Sequence, residues 1–348
     1  MGNADRSHEP GQPVRHCAFR STFRRLLELV ADPDKNIATD DGKEQVMTTQ
    51  TRRFPGIHCV LYALFDAEER LDRAAMAEQV ERVIAAGVDG VTVLGLATEV
   101  AKLAPEERRA VIDWAAEDVA GRVPLSVTVA GNSVAEQVAL VRHAESAGAD
   151  WLILQPPIAG NYGALEYLDF FARVGAAISL PWAVQNAPAY LGRGLSGSDL
   201  AALRARAPGL THLKAESPAM EISGLIEVAG PDMTVLNGRG GLEFIENLRA
   251  GCAGFVLAPD VVDRAVIMQH LWQAGDAVAA EQAYREVLPA ISFVMQSIEH
   301  LICYGKRLYG LRSGQPIHDR APALRPSAEG LAALERHASG LRRFGKGG

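Results

Sequence analysis

From residue 56 onward, short apolar or β-branched runs alternate with longer segments whose apolar residues recur at helical spacing. The short runs fall at 57–64, 90–94, 125–129, 151–154, 182–185, 211–214, 234–237 and 254–257, and each predicts one strand. Between them, "AAGVDG" (85–90) and "SAGADW" (146–151) each put a glycine at the end of a helix just before a strand begins. Such look-alike junctions are what a repeated βα unit produces. Eight units in about 200 residues predict a closed (β/α)8 TIM barrel rather than an open doubly wound sheet. The first strand is not followed by a glycine-rich dinucleotide fingerprint, which weakens the open-sheet alternative further.

The barrel is expected over 51–262. Helical patterns at 263–275, 277–298 and 327–343 predict a C-terminal appendage, 263–348, packed on it. Residues 1–50 are dominated by Gly, Pro, Asp, Arg and polar residues, with one short amphipathic stretch at 19–30, and are read as a disordered tail. Met47 stands just ahead of the first strand, where a natural start is expected.

Composition narrows the function. The 348 residues are 48% apolar and 22% charged, enough apolar material for a large core. A net charge of -7 leaves no basic surface for nucleic acid or an anionic membrane, so small metabolites are the expected partners. Cys17, Cys59, Cys252 and Cys303 are far apart and form no CxxC pair, so neither a zinc site nor a disulfide framework is expected. Without a long apolar run or a signal-peptide pattern, the chain is assigned to the cytoplasm.

In such a barrel the chemistry lies at the C-terminal ends of the strands. The sixth strand stands out there, because "LTHLKAES" (210–217) spaces His212, Lys214 and Glu216 two apart and so turns all three to one face. That face is the barrel interior. Burial disfavours an ammonium ion, which is how a lysine amine becomes a nucleophile. The spacing equally fits a structural Lys214–Glu216 ion pair at the barrel mouth. His212, deeper in the barrel, reads as a hydrogen-bonded core residue.

At this point the chain resembles the dihydrodipicolinate synthase and N-acetylneuraminate lyase family of class I, pyruvate-type aldolases. The resemblance runs from residue 56 into the C-terminal helices. It is carried by "AAGVDGVTVLGLATEVAKLAPEER" (85–108), "LPWAVQNAP" (180–188), "THLKAES" (211–217), "VLNGRGG" (235–241) and "GCAGFVLAPD" (251–260), in that order. It implies that Lys214 is the Schiff-base lysine and that backbone amides of Gly95, Leu96 and Ala97 bind the substrate carboxylate. It further implies that Gly238 and Val256 floor the pocket, that no metal or organic cofactor is used, and that the protein is a homotetramer or homodimer.

The departures from the family pattern are as informative. Dihydrodipicolinate synthases relay protons through a tyrosine, a hydroxyl and a second tyrosine where this chain has Gln185, Leu96 and Ile158. Tyr190 replaces an arginine that holds the second substrate. An amide cannot exchange a proton at neutral pH, so Gln185 does not replace a tyrosine in that role. Glu216 is the expected proton carrier, and Gln185 and Asn186 are expected to bind substrate. Asn237, Arg239 and Tyr190 are further candidates for hydroxyls or a distal carboxylate, and Glu99 is expected to shape its loop. These residues favour a lyase or hydro-lyase acting on a 2-oxo-3-deoxy sugar acid. The alternatives are 4-hydroxy-tetrahydrodipicolinate synthase, a phosphate-binding barrel aldolase, and an inactive ligand-binding barrel.

Overall fold

Eight parallel strands close in sequence order into a barrel, β1 pairing with β8. The computed structural model describes residues 52–341, 343 and 344; the segment expected to be a tail lies outside the described residues. The units are β1 (Gly56–Val60) with α1 (Arg73–Ala85), β2 (Gly90–Val93) with α2 (Pro105–Val119), β3 (Leu125–Val129) with α3 (Val134–Ala147), and β4 (Trp151–Leu154) with α4 (Ala164–Gly175). They continue as β5 (Trp182–Asn186) with α5 (Gly197–Arg206), β6 (Leu210–Ala215) with α6 (Ala219–Ala229), β7 (Thr234–Asn237) with α7 (Phe244–Arg249), and β8 (Gly254–Leu257) with α8 (Val262–Gln273).

The helices start where side chains cap them. Asp72 accepts from the Ala75 amide at 2.9 Å, and Ser133 from that of Glu136 at 3.1 Å. Helix α3 ends on Gly148, which adopts the left-handed conformation that a side chain resists.

Two strands end earlier than the apolar pattern predicts. β1 stops at Val60, and residues 61–65 stay buried because the C-terminal helices cover them: the Tyr62 ring packs against Tyr309, and the Lys306 ammonium stands 4.9 Å over the Phe65 ring. Burial, not strand geometry, wrote that run. β2 stops at Val93 because Leu94 turns left-handed, with φ 61°.

Helix α8 packs on β1 and so closes the last βα unit. Beyond it come α9 (Ala277–Val294), a π-helical turn (Leu301–Gly305) running into α10 (Lys306–Ser313), and α11 (Ala328–Gly340). α10 lacks an apolar stripe legible in the sequence. Its lead-in glycine is there for close approach, since a Cβ on Gly305 would stand 2.5 Å from the Tyr62 hydroxyl. Among the described residues no single helix is long and apolar enough to cross a membrane.

An aromatic plug fills the N-terminal end of the barrel. Trp151 stacks on Phe54 and on His212, with ring centroids 5.7 and 5.1 Å apart, and meets His58 edge-on. The Phe54 amide donates to His212 Nε2 at 3.1 Å, so Nδ1 carries the hydrogen and donates to Thr211 Oγ1 at 2.8 Å. Burial, with His58 and Arg53 nearby, pushes the His212 imidazole down to about 3. His212 is a buried core residue of the plug, two positions before Lys214 on the same strand.

Candidate active site

At the opposite end of β6 the register pairs Gln185 with Lys214 and Lys214 with Leu236, so the lysine lies between β5 and β7 and points into the barrel. Its Nζ is 2.5 Å from Glu216 Oε1, and the two side chains are only 5% and 6% exposed. Gln185 Nε2 donates to the same carboxylate oxygen at 2.7 Å. One buried carboxylate oxygen therefore holds the lysine amine on one side and an amide on the other. Room for Glu216 comes from the next strand: a Cβ on Gly238 would stand 2.8 Å from Glu216 Cγ. Gly238 is itself held by Asn237, whose Oδ1 accepts from its amide at 2.7 Å.

The loop after β2 makes a tight turn over Leu96–Thr98. It is pinned by Thr98, whose hydroxyl donates to the Leu61 carbonyl at 2.6 Å. The amides of Leu96 and Ala97 open that turn, and the first amides of any helical turn have no partner within it. Glu99 follows in the left-handed conformation, buried, with Lys306 Nζ 2.7 Å from Oε1 and Lys102 Nζ 2.6 Å from Oε2. Burial pushes the Lys306 ammonium down from its ordinary range even though Glu99 opposes the shift. Glu99 thus ties its loop to α10, the shaping role expected of it, through a lysine that the sequence reading did not single out.

Not every expected site residue reaches the interior. Both ends of the Asn186 amide are committed to Leu195, donating to its carbonyl at 3.0 Å and accepting from its amide at 2.8 Å, so Asn186 fixes the loop after β5. The Asn237 amide nitrogen donates to Ser217 O and Asn247 Oδ1, which makes it a brace as well. Arg239 bonds Glu243 at 3.0 Å. Val256 is buried and, paired with His58, faces the interior on the far side of the barrel from Gln185.

A cavity of about 610 Å³ is lined by Leu96, Pro156 to Ile158, Ala189 to Leu191, Arg193 and the turn Gln296–Glu299. Tyr190 relates cavity and cluster: burial pushes its phenol up, with the Arg239 guanidinium opposing the shift and the Glu216 charge adding to it. Arg193 went unnoticed in the sequence. Its guanidinium donates to the Gly160 carbonyl at 2.8 Å and to the Tyr167 hydroxyl at 3.0 Å, which clamps the β4 loop to the β5 loop. Among the described residues, no three His, Cys, Asp or Glu side chains converge as metal ligands.

A model described as the dihydrodipicolinate synthetase family matches residues 53–339. The chain belongs to that family. Its members are Schiff-base aldolases and lyases that act on 2-oxo acids. An uncharacterized DapA-like lyase of Halobacterium salinarum is 34% identical over 215 residues, 60% of this chain and 70% of that protein. YagE of Escherichia coli K12, provisionally a 2-dehydro-3-deoxy-D-gluconate aldolase, is 28% identical over 261 residues, 71% of this chain and 83% of its own. The crystal structure of YagE in complex with pyruvate superposes with a TM-score of 0.76 at 25% identity, over 81% of this chain and 97% of YagE. A 4-hydroxy-tetrahydrodipicolinate synthase of Methanococcoides burtonii is 28% identical over 280 residues, 79% of this chain and 94% of the relative.

Gln185 is bonded to Glu216, Leu96 lines the cavity as an aliphatic side chain, and Ile158 is more than half exposed at its rim. No hydroxyl stands at any of the three.

Proposed function

We propose that the chain is a lyase that forms a Schiff base between Lys214 and a 2-oxo acid, with a 2-oxo-3-deoxy sugar acid as its substrate class. The observation that carries this reading is the buried contact of 2.5 Å between Lys214 Nζ and Glu216 Oε1, at the C-terminal end of a barrel strand where TIM-barrel chemistry is sited. The neutral amine adds to the keto carbon, and loss of water leaves an iminium that serves as the electron sink. Glu216 takes the proton of the C4 hydroxyl as the C3–C4 bond breaks, an aldehyde leaves, and the bonding pair becomes the enamine. Protonation at C3 and hydrolysis then release pyruvate and the free lysine. Dehydration shares the first half: a C3 proton is removed, and the C4 hydroxyl departs as water.

In this reading the amides of Gly95, Leu96 and Ala97 hold the carboxylate, as amides aimed at an anion do. Gly238 and Val256 leave space around C3, and Gln185 orients Glu216. YagE and the Methanococcoides synthase are equally identical to the chain, so their names do not choose between a sugar acid and aspartate semialdehyde. What supports the sugar acid is that the positions of the synthase relay carry Gln185, Leu96 and Ile158, while Glu216 is the carboxylate beside the lysine. The same contact also fits a static ion pair in a binding barrel.

Borohydride reduction with pyruvate and with a 2-oxo-3-deoxy sugar acid, followed by peptide mass spectrometry, separates the two. The expected adduct sits on Lys214 and vanishes in Lys214→Met. Glu216→Gln is expected to keep the pyruvate adduct while turnover falls about 10²–10⁴-fold. No adduct on the folded wild-type protein would leave the binding barrel as the better reading.

A further inference from the structure

Three polar side chains on the inner wall of the barrel take no part in the mechanism above as acceptors or donors to substrate. Thr128 lies on β3, Gln155 directly follows β4, and Gln185 lies on β5. The register pairs Thr128 with Ile153, Ile153 with Ala183, and Ala183 with His212, an inward-facing residue, so Thr128 faces the interior too. Carrying the β4–β5 pairing one residue past Leu154 and Val184 sets Gln155 beside Gln185, on the same inner face. All three are at most 1% exposed.

Among the described residues, four of their polar atoms have no hydrogen-bond partner: Thr128 Oγ1, Gln155 Oε1, Gln155 Nε2 and Gln185 Oε1. Elsewhere on the inner face, the Thr92 and Ser126 hydroxyls meet at 2.7 Å, while in the plug single ring nitrogens of His58 and Trp151 are likewise without a partner among the described residues. An unpartnered buried polar atom is costly, so four of them on three adjacent strands form a wall suited to a ligand. The next residues along the chain from Gln155, Pro156 and Pro157, line the cavity, and Gln155 itself lies behind them, buried.

The chemistry of the free atoms names the ligand group. Gln185 has committed its amide nitrogen to Glu216 and offers an acceptor, which a carboxylate or ketone cannot satisfy. Gln155 offers a donor and an acceptor together, and Thr128 offers either. A group that both gives and accepts a hydrogen bond suits all three, and vicinal hydroxyls are such groups. The backbones of Lys214 and Gln155 are two strand spacings apart, roughly 10 Å, a gap that two long inward side chains and a five- or six-carbon acid can span.

We infer that Gln155, flanked by Gln185 and Thr128, is a specificity-determining residue that binds the hydroxyls beyond C3 of a 2-oxo acid held on Lys214. This rests on the Schiff-base reading of Lys214. A site with buried polar groups rejects a ligand that leaves them unpaired, so the wall selects a polyhydroxylated acid over pyruvate.

The test compares two acids on the full chain: pyruvate, which has no hydroxyls to offer, and a six-carbon 2-oxo-3-deoxy sugar acid. Gln155→Met keeps the length of the side chain and removes its hydrogen bonds. It is expected to raise the concentration for half-maximal borohydride trapping of the sugar acid by about 10- to 200-fold, and to leave pyruvate within about twofold. Thr128→Val, nearly isosteric, is expected to move the sugar acid alone in the same direction and serves where Gln155→Met folds poorly. Equal shifts for both acids, or no shift for either, overturn the inference. Should the wild type trap neither acid, the Schiff-base reading falls, and calorimetric titration of the same acids into wild type and variants decides the wall by itself: a selective loss for the sugar acid sustains it, and equal binding overturns it.

Discussion

Gly238 stands so close to Glu216 that a Cβ added to it would lie 2.8 Å from Glu216 Cγ and 3.0 Å from Cδ. The missing side chain on β7 is thus what allows the carboxylate to reach back to Lys214. Gly238→Ala is expected to displace Glu216 and lower turnover about tenfold or more, as misplacing a reacting group by a fraction of an ångström does. Borohydride trapping of pyruvate, which needs the amine more than the carboxylate, is expected to fall much less. A crystal structure or a trapping assay showing both functions lost equally would instead mean that the alanine disrupts the barrel mouth as a whole.

The buried histidine of the plug sets a pH limit on stability. His212 is held down to about 3 in the folded protein by burial, against 6.5 when unfolded. Above 6.5 both states are neutral and the histidine adds no pH dependence. As the pH falls below 6.5 the unfolded chain takes up a proton that the folded one refuses, so stability is lost through that range and down to about 3. By pH 5 the loss is about 2 kcal/mol. His58, also lowered chiefly by burial, acts in the same direction. Urea unfolding from pH 7.5 to 5 checks this: His212→Asn is expected to be less stable at pH 7.5 but to show a flatter pH slope, and an unchanged slope would remove His212 as the cause.

Lys306 and Glu99 form another buried ion pair, 207 residues apart in sequence and 2.7 Å apart in space. Lys306→Met leaves Glu99 buried with Lys102 as its remaining cation, and is expected to cost about 3–5 kcal/mol in denaturant unfolding. Glu99→Gln combined with Lys306→Met removes both charges and is expected to recover a large part of that loss. Additive losses in the double variant would show that the two residues act independently.

What the chain determined by itself is what depends on local geometry. The alternation of runs and helices laid out eight βα units because a strand or helix buries one face at a fixed period. The spacing of His212, Lys214 and Glu216 sent all three inward because successive strand residues face opposite ways. Their division of labour was also legible: His212 is deep in the plug and Lys214 near the mouth because they are one pleat apart along a strand whose direction is known.

The tertiary structure decided whatever depends on which strands are neighbours and in what register. Sequence position does not bring Gln185 to Glu216 or Gly238 under Glu216; the parallel pairing of β5 through β7 does. Asn186 looked like a ligand-binding amide at a strand end until the loop after β5 folded back and engaged it from Leu195. Lys306 carried no motif, and its role exists only because α10 lies against the loop after β2. Periodicity states which way a side chain points from its own backbone, whereas the partner it meets is set by barrel closure and long-range packing, which no local pattern encodes.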